Sequence, residues 1–165
     1  MEGEFNGDGS QRRNRGLTLE KTWVSDLITT EEIERWEPGS VITIRAKPGD
    51  GKSFFVKNKL YEYAKPRGEK ILLLLHRENT VHQFRNEMDR DGKGDTVHVR
   101  TYQYFEQALL YGRESNLAEY KYIVVDEAHY FISDSAFNDK TDISFDGIMG
   151  QIGAVRIFMS ATIDD

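Results

Sequence analysis

The stretch Ala46-Lys47-Pro48-Gly49-Asp50-Gly51-Lys52-Ser53 constrains this chain more than any other. It follows the β-rich run Val41-Ile42-Thr43-Ile44 and leads into Phe54-Phe55-Val56-Lys57, which reads as the start of a helix. Strand, glycine-rich loop, Lys-Ser and helix, in this order, is what a phosphate-cradling loop (a P-loop) requires. The backbone must curl tightly enough to aim several N–H groups at one polyphosphate. Gly49 and Gly51 can take positive φ and bring no Cβ into the ligand's way. The helix start adds its partial positive charge. In such a loop Lys52 reaches the β- and γ-phosphates, and the Ser53 hydroxyl holds Mg²⁺. The plain alternative is a surface turn, where glycine is also common.

From that loop onward a strand–helix rhythm sets in. The pattern predicts strands at 41–46, 70–76, 96–100, 121–126 and 154–159, with helices near 52–64, 78–90, 102–111 and 143–151. Lys70 to His76 contains Ile71-Leu72-Leu73-Leu74-Leu75 without alternation, the mark of a strand covered on both faces. Strands alternating with helices predict an α/β domain, a mostly parallel sheet of about five or more strands with its ligand at their carboxyl ends. Upstream, Thr29-Thr30-Glu31-Glu32 resembles a capping box entering a short helix. Residues 1–16 are polar and glycine-rich and read as a disordered tail ahead of the domain at 17–165.

With 165 residues the chain suffices for one domain with a proper core. Its net charge of −6 argues against a surface that attracts nucleic acid everywhere, while leaving room for a local basic strip. Cysteine is absent, which excludes disulfide and Cys-zinc scaffolds and makes a reducing cytoplasm the expected location. No apolar run reaches membrane-spanning length, so no membrane partner is expected.

A second motif belongs with the first. Asp126-Glu127-Ala128-His129 directly follows the apolar run Tyr122-Ile123-Val124-Val125. A carboxylate at the end of a buried parallel strand enters the crevice into which the glycine loop opens. There Asp126 can hold Mg²⁺, and Glu127 can deprotonate an attacking water. Alone, the acidic pair would read equally well as a solvated loop; the upstream loop in the right order favours the site.

Asp-Glu-Ala-His is the tetrad that names the DEAH-box proteins. Met159-Ser160-Ala161-Thr162 resembles the Ser-Ala-Thr motif of the same proteins, and Ala46 in place of the loop's first glycine is their usual form. The set resembles the first RecA-like domain of superfamily-2 DEAD/DEAH-box helicases, near restriction-enzyme motor subunits and phage or bacterial DEAH-type ATPases. The resemblance spans about residues 36–165. His76-Arg77-Glu78-Asn79-Thr80-Val81-His82-Gln83 partly matches the motif Ia region, with Thr80 where leucine is usual, and Thr101-Tyr102-Gln103 matches a Thr-Tyr-Gln of that branch. The resemblance implies ATP and Mg²⁺ as cofactors, bound by residues 46–53, Asp126 and His129, with Lys52 and Glu127 catalytic. It further implies that Arg77, Gln83, Thr101 and Gln103 face a nucleic-acid backbone, and that His129, Ser160 and Thr162 couple that face to the ATP site. Thr101 reads equally as a helix N-cap, and Tyr102, Tyr104, Phe105 and Tyr111 read as a packing face rather than a base-stacking one.

The expected partner is nucleic acid, DNA ahead of RNA, although no residue encodes that preference. An adenine-reading glutamine upstream of the loop is not evident. The chain stops at Asp165, so the second RecA-like domain that such motors use is expected from a longer chain or a partner, and the lobe alone is expected to hydrolyse ATP weakly. Two other functions fit the motifs: a P-loop ATPase acting on a non-nucleic-acid substrate, and a nucleotide-binding module without turnover.

Overall fold

The computed structural model describes residues 14–19, 24–47, 51–128 and 145–161. Six strands, β1 (Asn14–Leu19), β2 (Val41–Ala46), β3 (Lys70–Leu75), β4 (Val97–Thr101), β5 (Tyr120–Val125) and β6 (Val155–Ala161), form one sheet in the order β1-β2-β6-β5-β3-β4. Every pairing is parallel. The α/β architecture expected from the motif order is therefore the one observed, with strand boundaries shifted by a residue or two. One correction concerns the tail. Asn14-Arg15-Gly16, expected to be disordered, belong to β1, which pairs Asn14 with Val41 and Leu19 with Ala46. Backbone hydrogen bonding to β2 builds this strand, so its polar composition gave no warning. The rest of the expected tail, residues 1–13, lies outside the described residues.

The topology follows from right-handed crossovers. The chain moves from β1 to β2, β3 and β4 in one direction across the sheet. The intervening helices are α1 (Val24–Leu27), α2 (Thr30–Glu34), the helix that follows the glycine loop, and α5 (Glu78–Arg90). All of them cover one face: Val24, Ile33, Phe55, Leu60, Val81 and Met88 share a core with Ile44, Leu73, Val99, Val124 and Ile157. After β4 the direction reverses. α6 (Tyr102–Leu110) and the helical stretch 145–149 then cover the other face, where Phe105 and Ile148 pack with Leu72, Leu74, Ile123, Val125 and Phe158. β3 is buried along nearly its whole length because both faces are roofed.

The helix after the loop is continuous but not uniform. It begins as α3 (Lys52–Phe54), widens into π winding over Phe55–Leu60, returns to α4 (Tyr61–Ala64) and tightens to a 3₁₀ turn at Lys65–Arg67. Gly68, at φ 66°, ends it with the left-handed turn that a Cβ would oppose. Trp36 packs edge-on against Phe55 and donates its indole N–H to Glu32, fastening α2 to this helix. Thr29 accepts from the Glu32 N–H, as the capping-box pattern predicted.

At the amino edge of the sheet, Arg156 of β6 is buried at 3 % exposure. Its guanidinium donates to the carbonyls of Gly39, Ser40, Ile148 and Met149. This joins the turn before β2 to the end of the 145–149 helix. Burial pushes its pKa below the usual arginine value. Among the described residues no helix is long and apolar enough to cross a membrane.

Candidate functional site

The carboxyl ends of β2, β6 and β5 lie side by side, because β6 pairs with both neighbours. Ala46 ends β2 opposite Ala161, and Val125 of β5 sits opposite Phe158. With about 4.8 Å between adjacent strands, the end of the glycine-loop strand and the Asp126 end are separated by roughly 10 Å. A phosphate group and its metal span such a gap.

At the β2 end, Gly51 has φ 87° and caps the helix from the left-handed region, where a Cβ is disfavoured. Lys52 turns back and donates to the Ala46 carbonyl at 3.1 Å. The Ser53 side is exposed at the helix start. Pro48, Gly49 and Asp50 lie outside the described residues; Lys47 is described and half-buried. A cleft of about 460 Å³ opens beside Gly51, Lys52, Ser53 and Phe54 and runs down the helix flank to Lys57, Asn58 and Lys93. Its lower wall is closed by the Lys57–Glu87 ion pair and by Lys93, which donates to the Lys57 carbonyl and the Asn58 side chain. The carboxylates at the β5 end do not line this cleft.

At the β5 end, the chain is anchored to its neighbours on both sides. The Asp126 N–H donates to the Leu74 carbonyl at 3.0 Å, and the Ala128 N–H to Met159 at 2.9 Å. Between these anchors, Glu127 sits at φ 55°, the one positive φ of a non-glycine residue among those described. That conformation costs about 1–2 kcal/mol. The Glu127 N–H donates to its neighbour's Asp126 Oδ1 at 2.8 Å, and the Asp126 carbonyl accepts from the Tyr102 hydroxyl. Both carboxylates are half-buried rather than solvated.

The oxygen donors present suit a hard divalent cation: a serine hydroxyl from one strand end and an aspartate from the other are the ligand types that Mg²⁺ takes. Ser160 lies on β6 between those two ends, 8 % exposed and opposite Arg45. His129 and Thr162, expected to couple the two faces, lie outside the described residues.

The remaining expected residues occupy the same edge one strand further on. Leu75 pairs with Thr101, so His76-Arg77 and Thr101 emerge together. Arg77 is exposed at the N-cap position of α5. The Thr101 hydroxyl caps α6 by accepting from the Tyr104 N–H at 3.2 Å, and its own proton is still available to an anion. Gln103 is exposed on the first turn of α6. Gln83 is exposed too, but it lies about 9 Å down α5 from the edge, from six residues of helical rise. The aromatic group divides: Phe105 is buried and Tyr102 half-buried, as packing predicted, whereas Tyr104 and Tyr111 are exposed. Sequence reading missed Tyr102 as a site residue because its partner lies 24 positions away.

No protein-family model matches the chain, and no curated protein matches it. Among solved structures, a similar one is the KaiC-like protein PH0186 from the hyperthermophilic archaeon Pyrococcus horikoshii, with 14 % identity and a TM-score of 0.49. The match covers 76 % of this chain and 62 % of that one, so the chain spans less than two thirds of that protein's length.

Proposed function

We propose that this chain is the RecA-like ATP-binding lobe of a nucleic-acid-dependent ATPase, a helicase or translocase motor working in the cytoplasm. The observation that carries the proposal is the alignment of the Lys52 loop, Ser160 and Asp126–Glu127 on three adjacent strand ends of one edge. Lys52 leaves the Ala46 carbonyl for the β- and γ-phosphates, which offer its ammonium a stronger, charged acceptor. Ser53 and Asp126 would hold Mg²⁺, which would supply charge neutralisation at the phosphoryl oxygens. Water, losing its proton to Glu127, attacks the γ-phosphorus in line. The bond to the β–γ bridging oxygen breaks, giving ADP and inorganic phosphate. Arg77 and Thr101, on the same edge, track a nucleic-acid backbone, DNA ahead of RNA, through contacts that carry no sequence information. A second RecA-like lobe completes the site with arginine.

Calorimetry of MgATP and MgADP on this chain and on Lys52→Ala tests the nucleotide site. Binding in the micromolar range, weakened at least about tenfold by loss of a charged phosphate contact, is expected. Equal binding by the variant would refute the loop assignment. Turnover measured with and without DNA and RNA separates the motor from an ATPase with another substrate: stimulation by either polymer supports the motor. Glu127→Gln separates both from a passive module, since loss of a general base slows turnover by about 10²–10⁴ while leaving binding.

A further inference from the structure

We infer that Tyr102 is a positioning residue for Glu127: its hydroxyl sets the orientation of the Asp126–Glu127 peptide, and through it the direction of the general base. The inference rests on the ATPase reading above for Glu127's role, but its geometry stands independently. The sheet anchors the N–H groups of Asp126 and Ala128, on either side of this peptide. The peptide itself is held otherwise. Its carbonyl accepts from the Tyr102 hydroxyl and its N–H donates to Asp126 Oδ1. Glu127 stands in the left-handed region at φ 55°, a conformation that is disfavoured for a non-glycine residue and that a neighbouring restraint can hold. A hydroxyl from α6, reaching over the end of β3 to a carbonyl just beyond β5, supplies that restraint.

Tyr102 is also well placed to transmit. It follows Thr101, whose hydroxyl caps the same helix, and its ring lies 5.7 Å from that of His76, next to Arg77. Arg77 and Thr101, proposed to meet a polymer phosphate, are thus chain neighbours of His76 and of Tyr102, whose rings lie together. A phosphate that shifts Thr101 or His76-Arg77 shifts the phenol, and the peptide turns with it. This gives nucleic-acid stimulation a mechanical route that needs no movement of the sheet.

Tyr102→Phe keeps the ring and its His76 contact and removes only the hydroxyl. Two readouts on the full chain decide the matter. In amide exchange without nucleotide, the Glu127 N–H is expected to exchange about tenfold faster, as local opening near the altered bond requires, while Val124 in β5 stays protected. In kinetics, kcat is expected to fall about 100-fold with the MgATP dissociation constant unchanged, the size of loss that misplacing a catalytic group produces. Unchanged exchange at Glu127 overturns the inference, and so does faster exchange at Val124 as well, which would mark a general loosening. Wild-type protein without turnover under any condition would defeat the ATPase reading and leave the exchange result to judge the peptide restraint.

Discussion

The two edges of the sheet are built on opposite plans. At the amino edge, Arg156 buries its charge against four carbonyls from two distant segments, and the Gly39 and Arg156 N–H groups are paired across the strand starts. These polar groups are satisfied within the chain. At the carboxyl edge the loop keeps Ser53 exposed and Lys52 parked on a single backbone carbonyl, and Glu127 holds the left-handed backbone that elsewhere among the described residues only glycines adopt. One edge is tied together by its own carbonyls; the other is where the proposed nucleotide would bind. The contrast shows where stability was placed and where it was withheld, as expected when strained and underpaired groups gather at a binding site.

Substitutions at the two edges should therefore separate stability from binding. The largest stability effect is expected from Arg156→Met, which removes a charged donor and leaves carbonyls buried without it. A loss of about 3 kcal/mol follows from the cost of such orphaned acceptors. Denaturant unfolding measures it, and nucleotide affinity should survive wherever the variant is folded. Arg156→Lys should recover only part of the loss, because one ammonium cannot reproduce the guanidinium fork. If Arg156→Met weakened nucleotide binding while sparing stability, the division between edges would collapse.

Gly51→Ala is the mirror case. Placing a Cβ at φ 87° costs about 1 kcal/mol of stability. The larger effect should appear in MgATP affinity, because the loop's N–H groups lose their aim. Calorimetry showing full affinity would mean that the loop does not use this conformation for the ligand.

The smallest effect concerns a cluster away from both sites. His98 stacks edge-on with Tyr120, and the two are joined at 2.6 Å from Nδ1 to the hydroxyl. Burial raises the tyrosine pKa, so its hydroxyl stays protonated beside the imidazole. Burial likewise lowers the His98 pKa below its ordinary 6.5, with Glu119 opposing the shift and Lys70 and Arg100 adding to it. Between the folded and unfolded values the unfolded chain binds more protons. This contribution to stability is therefore full above pH 6.5 and is lost as pH falls through the folded value. His98→Gln should flatten that part of the stability–pH curve, measured by thermal melting across the acid range. An unchanged slope would place the titration elsewhere.

Much of this architecture could be read from the residues. The unbroken apolar run of β3 announced a strand roofed on both faces, and the order of strand, glycine loop and helix located β2 and its successor. Thr29 and Thr101 were legible as helix caps because capping chemistry is local. The parts that escaped depend on distant partners. β1 is made by its ladder with β2, not by any pattern of its own side chains. The contact of Tyr102 with the Asp126 carbonyl crosses two strand ends and has no sequence signature. Arg156 did leave a signal: a lone charge within an otherwise apolar strand implies a buried partner, but the four carbonyls that provide it lie on two other segments. The strand-end placement of Asp126 and Glu127 was legible; the left-handed backbone at Glu127 was not.

The last described strand in sequence, β6, is nearly the middle strand in space, with β2 on one side and β5 on the other. Without Val155–Ala161 the described sheet would part into two halves, β1-β2 and β5-β3-β4, each with an unpaired inner edge. Both edges are apolar and open to pairing with other chains. Joining them requires contacts between residues more than one hundred positions apart, a topology that folds slowly. β6 is thus what sets the strand of the glycine loop beside the strand of the paired carboxylates, and the proposed nucleotide site depends on it.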